Sequence, residues 1–244
     1  KLRARADGLK VEFKQADAEA LGFDDAAFDV VVSTFGVMFT PNQDRAAAEL
    51  LRVCKRGGKI GLANWTPEGF IGQLFKTLGK HVPPPAGVRS PALWGTVPRL
   101  VELFSGHDMA TTRQTFHFRY KSAGHWLQVF KTYYGPTNRA FAALEPAKQA
   151  ALESDIIELL EQMNVGGKNS LVVPSEYLEA VVTKRLPGAK DGHELQTTGR
   201  RHRGRRAFAG NRGRRDPRSD RERRNPGRHY PGPGCAGLRV QGRQ

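Results

Sequence analysis

Apolar and polar positions along this chain fall into two repeating patterns. Residues 28–33, Phe-Asp-Val-Val-Val-Ser, are nearly continuous in β-branched side chains, as in a strand covered on both faces. Residues 11–15 alternate and predict a short strand, and residues 59–64 predict another. Ala47, Leu50, Leu51 and Cys54 recur at i, i+3, i+4, i+7 and predict a helix between them. Thr40 is its expected N-cap, Pro41 its first turn, and Gly57-Gly58 its end. Ile71, Leu74, Phe75 and Leu78 stripe a second helix that stops before Pro83-Pro84-Pro85. Residues 1–8 read as a helix end closed by Gly8. Further helices are expected at 96–104, 122–133 and 145–163, the last striped by Leu152, Ile156, Leu159, Leu160 and Met163. Strands are expected at 111–120 and 176–184. The early strand–helix–strand order implies an α/β fold with a parallel sheet.

Composition changes the picture at the carboxyl end. Residues 188–244 carry 16 Lys and Arg, 15 of them Arg, against 5 Asp and Glu, a net +11. The 187 residues before them carry 23 against 19, a net +4. So poor in aliphatic residues, the tail cannot bury enough apolar surface to offset its ordering entropy. We therefore expect a folded domain over residues 1–186 and an Arg/Gly/Pro-rich disordered tail over residues 187–244. The tail reads as an unselected extension or as a nucleic-acid arm. Its aromatic residues for base stacking are only Phe208 and Tyr230, which does not favour the second reading. Cys54 and Cys235 supply neither a disulfide framework nor metal-ligand spacing, so a cytoplasmic setting and no metal are expected. No run of 18 apolar residues occurs, so no membrane partner is expected.

Three blocks carry a family resemblance: VEFKQADAEALGF, then FDVVVSTFGVMFTPNQDRAAAELLRVCKRGGKIGLANWTPEGF, and finally VVPSEYLEAVVTKR. Over residues 1–186 the chain resembles a class I S-adenosylmethionine-dependent methyltransferase. The resemblance implies a Rossmann-like, mostly parallel sheet with helices on both faces and a late antiparallel hairpin. It also implies S-adenosyl-L-methionine as cofactor and a small-molecule methyl acceptor. The family's Gly-rich loop after its first strand and the acidic residue after its second have no counterpart here. On that reading the chain is N-terminally truncated, lacks the first strands, leaves a strand edge unpaired and binds the cofactor weakly on its own. Arg56 stands where the family usually has Pro before Gly-Gly.

Residue by residue, the resemblance places Asp17 on the adenine amino group and the Ala18 N–H on a ring nitrogen. Without it, Asp17 is a loop residue capping the next short helix, and Glu19 a solvated helix residue. Ser33, Thr34, Phe35 and Gly36 leave a strand at its carboxyl end, where open α/β sheets bind ligands. They are expected to line the sulfonium and methyl; otherwise Gly36 merely eases a turn. Phe39 and Trp65 are expected walls of the acceptor site, with Asn64 and Thr66 at the same strand end. His81 is the preferred candidate base among scattered histidines, and Trp94 belongs to a substrate lid or is a buried anchor. No catalytic dyad is visible, which suits a cofactor whose methyl group is already activated. The competing readings are a non-catalytic module that binds nucleic acid through its tail, and a dinucleotide enzyme. The latter needs a Gly-rich fingerprint that the sequence does not contain.

Overall fold

The computed structural model describes residues 1–186 and, as backbone, two further strands, β5 (Gln196–Thr197) and β6 (Gly237–Gln241). The rest of the expected tail lies outside the described residues. Helix α1 (Leu2–Ala6) is followed by Gly8 at φ +65°, as the sequence implies. Residues 11–15 are a correction: they join no strand of the sheet. A strand needs a neighbour for its N–H and C=O groups, and no described strand runs beside this segment.

The parallel pair is β1 (Phe28–Thr34) and β2 (Cys54–Trp65), with Val31 opposite Ile60 and Ser33 opposite Leu62. Helix α2 (Gln43–Val53) connects them. Its N-cap is Asn42 rather than Thr40, with Oδ1 accepting the Arg45 N–H at 3.0 Å. Residues Val37–Phe39 first make a 3-10 turn, and the Thr40 hydroxyl closes it by donating to the Val37 carbonyl. The helix also ends earlier than expected, at Val53, with Lys184 Nζ donating to the Leu51 and Cys54 carbonyls. Gly57 and Gly58 instead shape the irregular opening of β2. Gly57 has φ +75°, and a Cβ on Gly58 would lie 2.7 Å from the Asp29 carbonyl oxygen.

β4 (Leu171–Thr183) adds antiparallel to β2, and β3 (Asp108–Tyr120) adds antiparallel to β4, forming the expected late antiparallel pair. The order of the six described strands is β5-β3-β4-β2-β1-β6. The outer edge of β1, expected to be unpaired, carries β6 antiparallel. One sheet face is buried through Val31, Ile60, Leu62, Leu178, Ala180 and Val182. Helices α2 and α4 (Val97–Leu103) are amphipathic partners joined through Arg99.

β2 stops at Trp65, opposite Tyr177, while β3 and β4 continue past it. On this projection sits a cap of α3 (Phe70–His81), α5 (Ala123–Tyr133), α6 (Gly135–Ala142) and α7 (Pro146–Gln162). Its seam is aromatic. Phe70, Phe118 and Phe130 meet edge to face, and Trp126 stacks on Phe130 at 3.6 Å. Each such ring contributes about 2–3 kcal/mol by burial. Helix α6 was not expected from the apolar spacing. No helix among the described residues is long and apolar enough to cross a membrane.

Candidate functional site

The chain leaves β1 through an abrupt turn. Phe35 has φ +52°, a left-handed conformation that is unfavourable for a bulky side chain. Its N–H still bonds the Ala63 carbonyl at 2.8 Å, so the turn is made against β2. Its ring stacks on Trp65, with centroids 4.1 Å apart and planes 17° apart, and Tyr177 closes on both rings edge-on. Ser33 is fully buried and its Oγ accepts the Val37 N–H at 2.9 Å, which ties down the far side of the turn. Thr34 is exposed and Gly36 half-buried. The unusual dihedral thus falls on Phe35, whereas Gly36 has φ −106°.

Asp17 lies in a tight turn in which Ala20 N–H bonds the Asp17 carbonyl and Glu19 N–H bonds Asp17 Oδ1 at 2.9 Å. Asp17 is exposed and Ala18 half-buried. Glu19 is no solvated helix residue: its Oε1 accepts the Asn42 N–H at 2.7 Å, and Arg45 Nε donates to its carbonyl. The Asp17 turn is therefore fastened to the first turn of α2, which the β1 exit also enters through Val37–Phe39. The structure brings these two stretches to the same end of the sheet.

The end of β2 forms the adjoining wall. Trp65 is 7% exposed and also meets Phe116 and Phe118. Burial, then the neighbouring Glu179 carboxylate, push the Tyr177 hydroxyl up, which keeps it a neutral donor. Phe39 packs edge-on against Phe75 of α3. Trp94 belongs to the 3-10 turn Pro91–Gly95 and is fully buried, edge-on to Phe104. The neighbouring Gly95 presses on β2 so closely that a Cβ there would lie 2.1 Å from the Trp65 carbonyl oxygen. His81 is at the opposite end of α3 from Phe70, about 16 Å away at the helical rise. Its Nε2 lies 2.9 Å from Asp155 Oδ2 of α7. His81 thus joins two cap helices rather than the other site residues. No cluster of metal-ligating side chains occurs among the described residues.

Of this wall, Tyr177 escapes sequence reasoning; Asn64, which the sequence places at the same strand end, projects from the other face of the sheet, opposite Leu178. Tyr177 alternates in a strand like any sheet residue. Asn64 carries no motif, yet it is 1% exposed and neither polar atom of its amide has a partner.

Residues 1–62 match the methyltransferase domain family, and they include both the Asp17 turn and the β1 exit. The chain belongs to that family. It is 40% identical over 182 residues to the uncharacterized protein Rv1403c of Mycobacterium tuberculosis, covering 72% of this chain and 65% of that one. It is 36% identical over 189 residues to Rv1405c of the same organism, covering 75% and 68%. A demethylmenaquinone methyltransferase of Thermus thermophilus is 37% identical over 84 residues, 34% of this chain and 38% of that one. The chain spans just under two thirds of the length of the first of these relatives.

Proposed function

We propose that this chain transfers a methyl group from S-adenosylmethionine to a small-molecule acceptor. The observation that carries the reading is the convergence of the Asp17 turn and the β1 exit on the first turn of α2, beside the end of β2. The donor set fits the cofactor. Asp17 Oδ2 has no partner among the described residues, and aromatic rings beside the exit suit a sulfonium. When bound, the cofactor supplies a methyl group already activated on a positive sulfur.

The protein's part is to bind, orient and exclude water. Asp17 accepts from the adenine amino group, and the Ala18 N–H donates to the ring. Ser33, Thr34, Phe35 and Gly36 present carbonyl dipoles and one aromatic face to the sulfonium. Phe39, Trp65 and Tyr177 wall the acceptor. Trp94 and His81 act at one remove, the first by seating Gly95 on β2 and the second by joining α3 to α7. The buried free thiol of Cys54 suits a reducing cytoplasm.

Titration with S-adenosylhomocysteine, followed by indole fluorescence, tests the reading. We expect saturable quenching that is absent in Trp65→Phe and shifted about tenfold weaker in Asp17→Ala, as for one lost charge-assisted hydrogen bond. Quenching that ignores both substitutions, or none at millimolar ligand, overturns it.

A further inference from the structure

Asn64 is the last residue but one of β2. It is buried, and neither Oδ1 nor Nδ2 of its amide has a partner. Each buried polar group left unpaired costs about 1–3 kcal/mol, and such groups are rare in native proteins. The surroundings show why the chain itself offers no partner. Pairing of β1 with β2 ends at Thr34 and Ala63, because Phe35 turns away after bonding the Ala63 carbonyl. Across the other edge, Asn64 stands opposite Leu178, an aliphatic residue. Ile60 and Leu62 precede it on its own face. Ser33, opposite Leu62, commits its Oγ to Val37. Trp94, next to the glycine that abuts β2, is also buried, and its Nε1 bonds neither atom of the Asn64 amide.

We propose that Asn64 recognises the methyl acceptor, and that the group it takes is a hydroxyl. This rests on the methyl-transfer reading only for calling the ligand an acceptor. The amide presents a carbonyl that needs a donor and an NH2 that needs an acceptor. A hydroxyl satisfies both from one atom. A carboxylate would satisfy the NH2 and leave the carbonyl facing negative charge; a protonated amine would do the reverse. An ether or an apolar carbon leaves at least one of the two unpaired. The Phe35–Trp65 stack and its neighbour Tyr177 project from the other face of the sheet, so the choice of group rests on the Asn64 amide alone.

The experiment titrates the full chain, by NMR, with phenol, anisole and toluene. These share a ring and differ in whether the substituent can donate, only accept, or neither. Phenol is expected to bind about tenfold more tightly than the other two, the value of one net hydrogen bond. Asn64→Leu is expected to erase that preference while leaving toluene unchanged. The idea is overturned if wild type shows no preference for phenol, or if the preference survives the substitution. Urea unfolding without ligand is the second readout: Asn64→Leu should match or exceed wild type, since it removes an unpaired amide. A marked loss of stability in both Asn64→Leu and Asn64→Ala would mean that the amide is paired internally, which also defeats the idea. Titrating the same variants with S-adenosylhomocysteine separates the two readings. If phenol discrimination depends on Asn64 while the homocysteine nucleoside does not bind, the hydroxyl site stands and methyl transfer falls.

Discussion

Phe35 holds a left-handed backbone because three contacts outweigh the steric cost: its N–H on Ala63, its ring on Trp65 and the Tyr177 edge. The left-handed region costs a non-glycine residue roughly 1–2 kcal/mol. Phe35→Ala keeps that cost and loses the stack, whereas Phe35→Gly loses both. We expect the glycine variant to be the more stable by about 1 kcal/mol in urea unfolding, the reverse of the order in a helix. The sequence draws the eye to Gly36, since glycine is the usual turn residue; the stacking partner that reassigns the strain lies 30 residues away. A second single-residue effect concerns His107, whose Nδ1 accepts the Arg185 N–H at 3.3 Å. Burial, then the charges of Lys184 and Arg185, hold its pKa below the usual 6.5, outweighing Asp108. The fold thus favours the neutral ring. That contribution is complete above the unfolded value and is lost as pH falls through the lower folded one. The urea midpoint should drop as the pH falls below the ordinary histidine range, and His107→Gln should flatten the decline.

At the scale of elements, apolar spacing identified α2, α3, α4, α5 and α7 because each buries a stripe. Their limits depended on contacts that spacing does not encode. The start of α2 moved to Asn42 because Thr40 was engaged in the preceding 3-10 turn, and residues 11–15 stayed out of the sheet for want of a neighbour. The joint between α2 and α4 was equally hidden, since arginine usually reads as surface. Arg99 is 6% exposed and donates to Gln43 Oε1 at 3.1 Å, Asp44 Oδ2 at 2.9 Å and Glu102 Oε2 at 2.9 Å. Asp44 is correspondingly held below the usual carboxylate range, chiefly by that hydrogen bond. Removing the guanidinium leaves the buried Gln43 carbonyl without its donor. Because both carboxylates are largely exposed, we place the loss for Arg99→Ala near the low end of buried-pair values, about 2–3 kcal/mol by urea midpoint. Arg99→Lys should recover less than half of it, because one ammonium cannot reach three partners in fixed directions.

Over the whole molecule, charge divides near residue 187. The part before it is close to balanced, and the residues proposed for its site follow one another in order: Asp17 after one apolar segment, Ser33 to Gly36 after the next, Trp65 after the third. What was not legible was the fastening of the first to the second, which passes through Glu19 to Asn42 and through Arg45. The carboxyl-terminal +11 has a different physical consequence. Clustered arginines neutralise phosphates and release counterions whatever fold precedes them. The full chain should therefore hold mixed-sequence polynucleotides at low salt and lose about a thousandfold in affinity between roughly 50 and 200 mM. Deleting residues 198–236 should abolish that binding and leave the response to S-adenosylhomocysteine in place, because Asp17, the β1 exit and β6, which pairs with Ser33 and Thr34, are all kept. Filter binding across a salt series reads the first effect, and fluorescence titration reads the second. A base preference that persisted at high salt would instead require contacts to base edges. It would move the function from a small acceptor in the crevice to a nucleic acid on the tail.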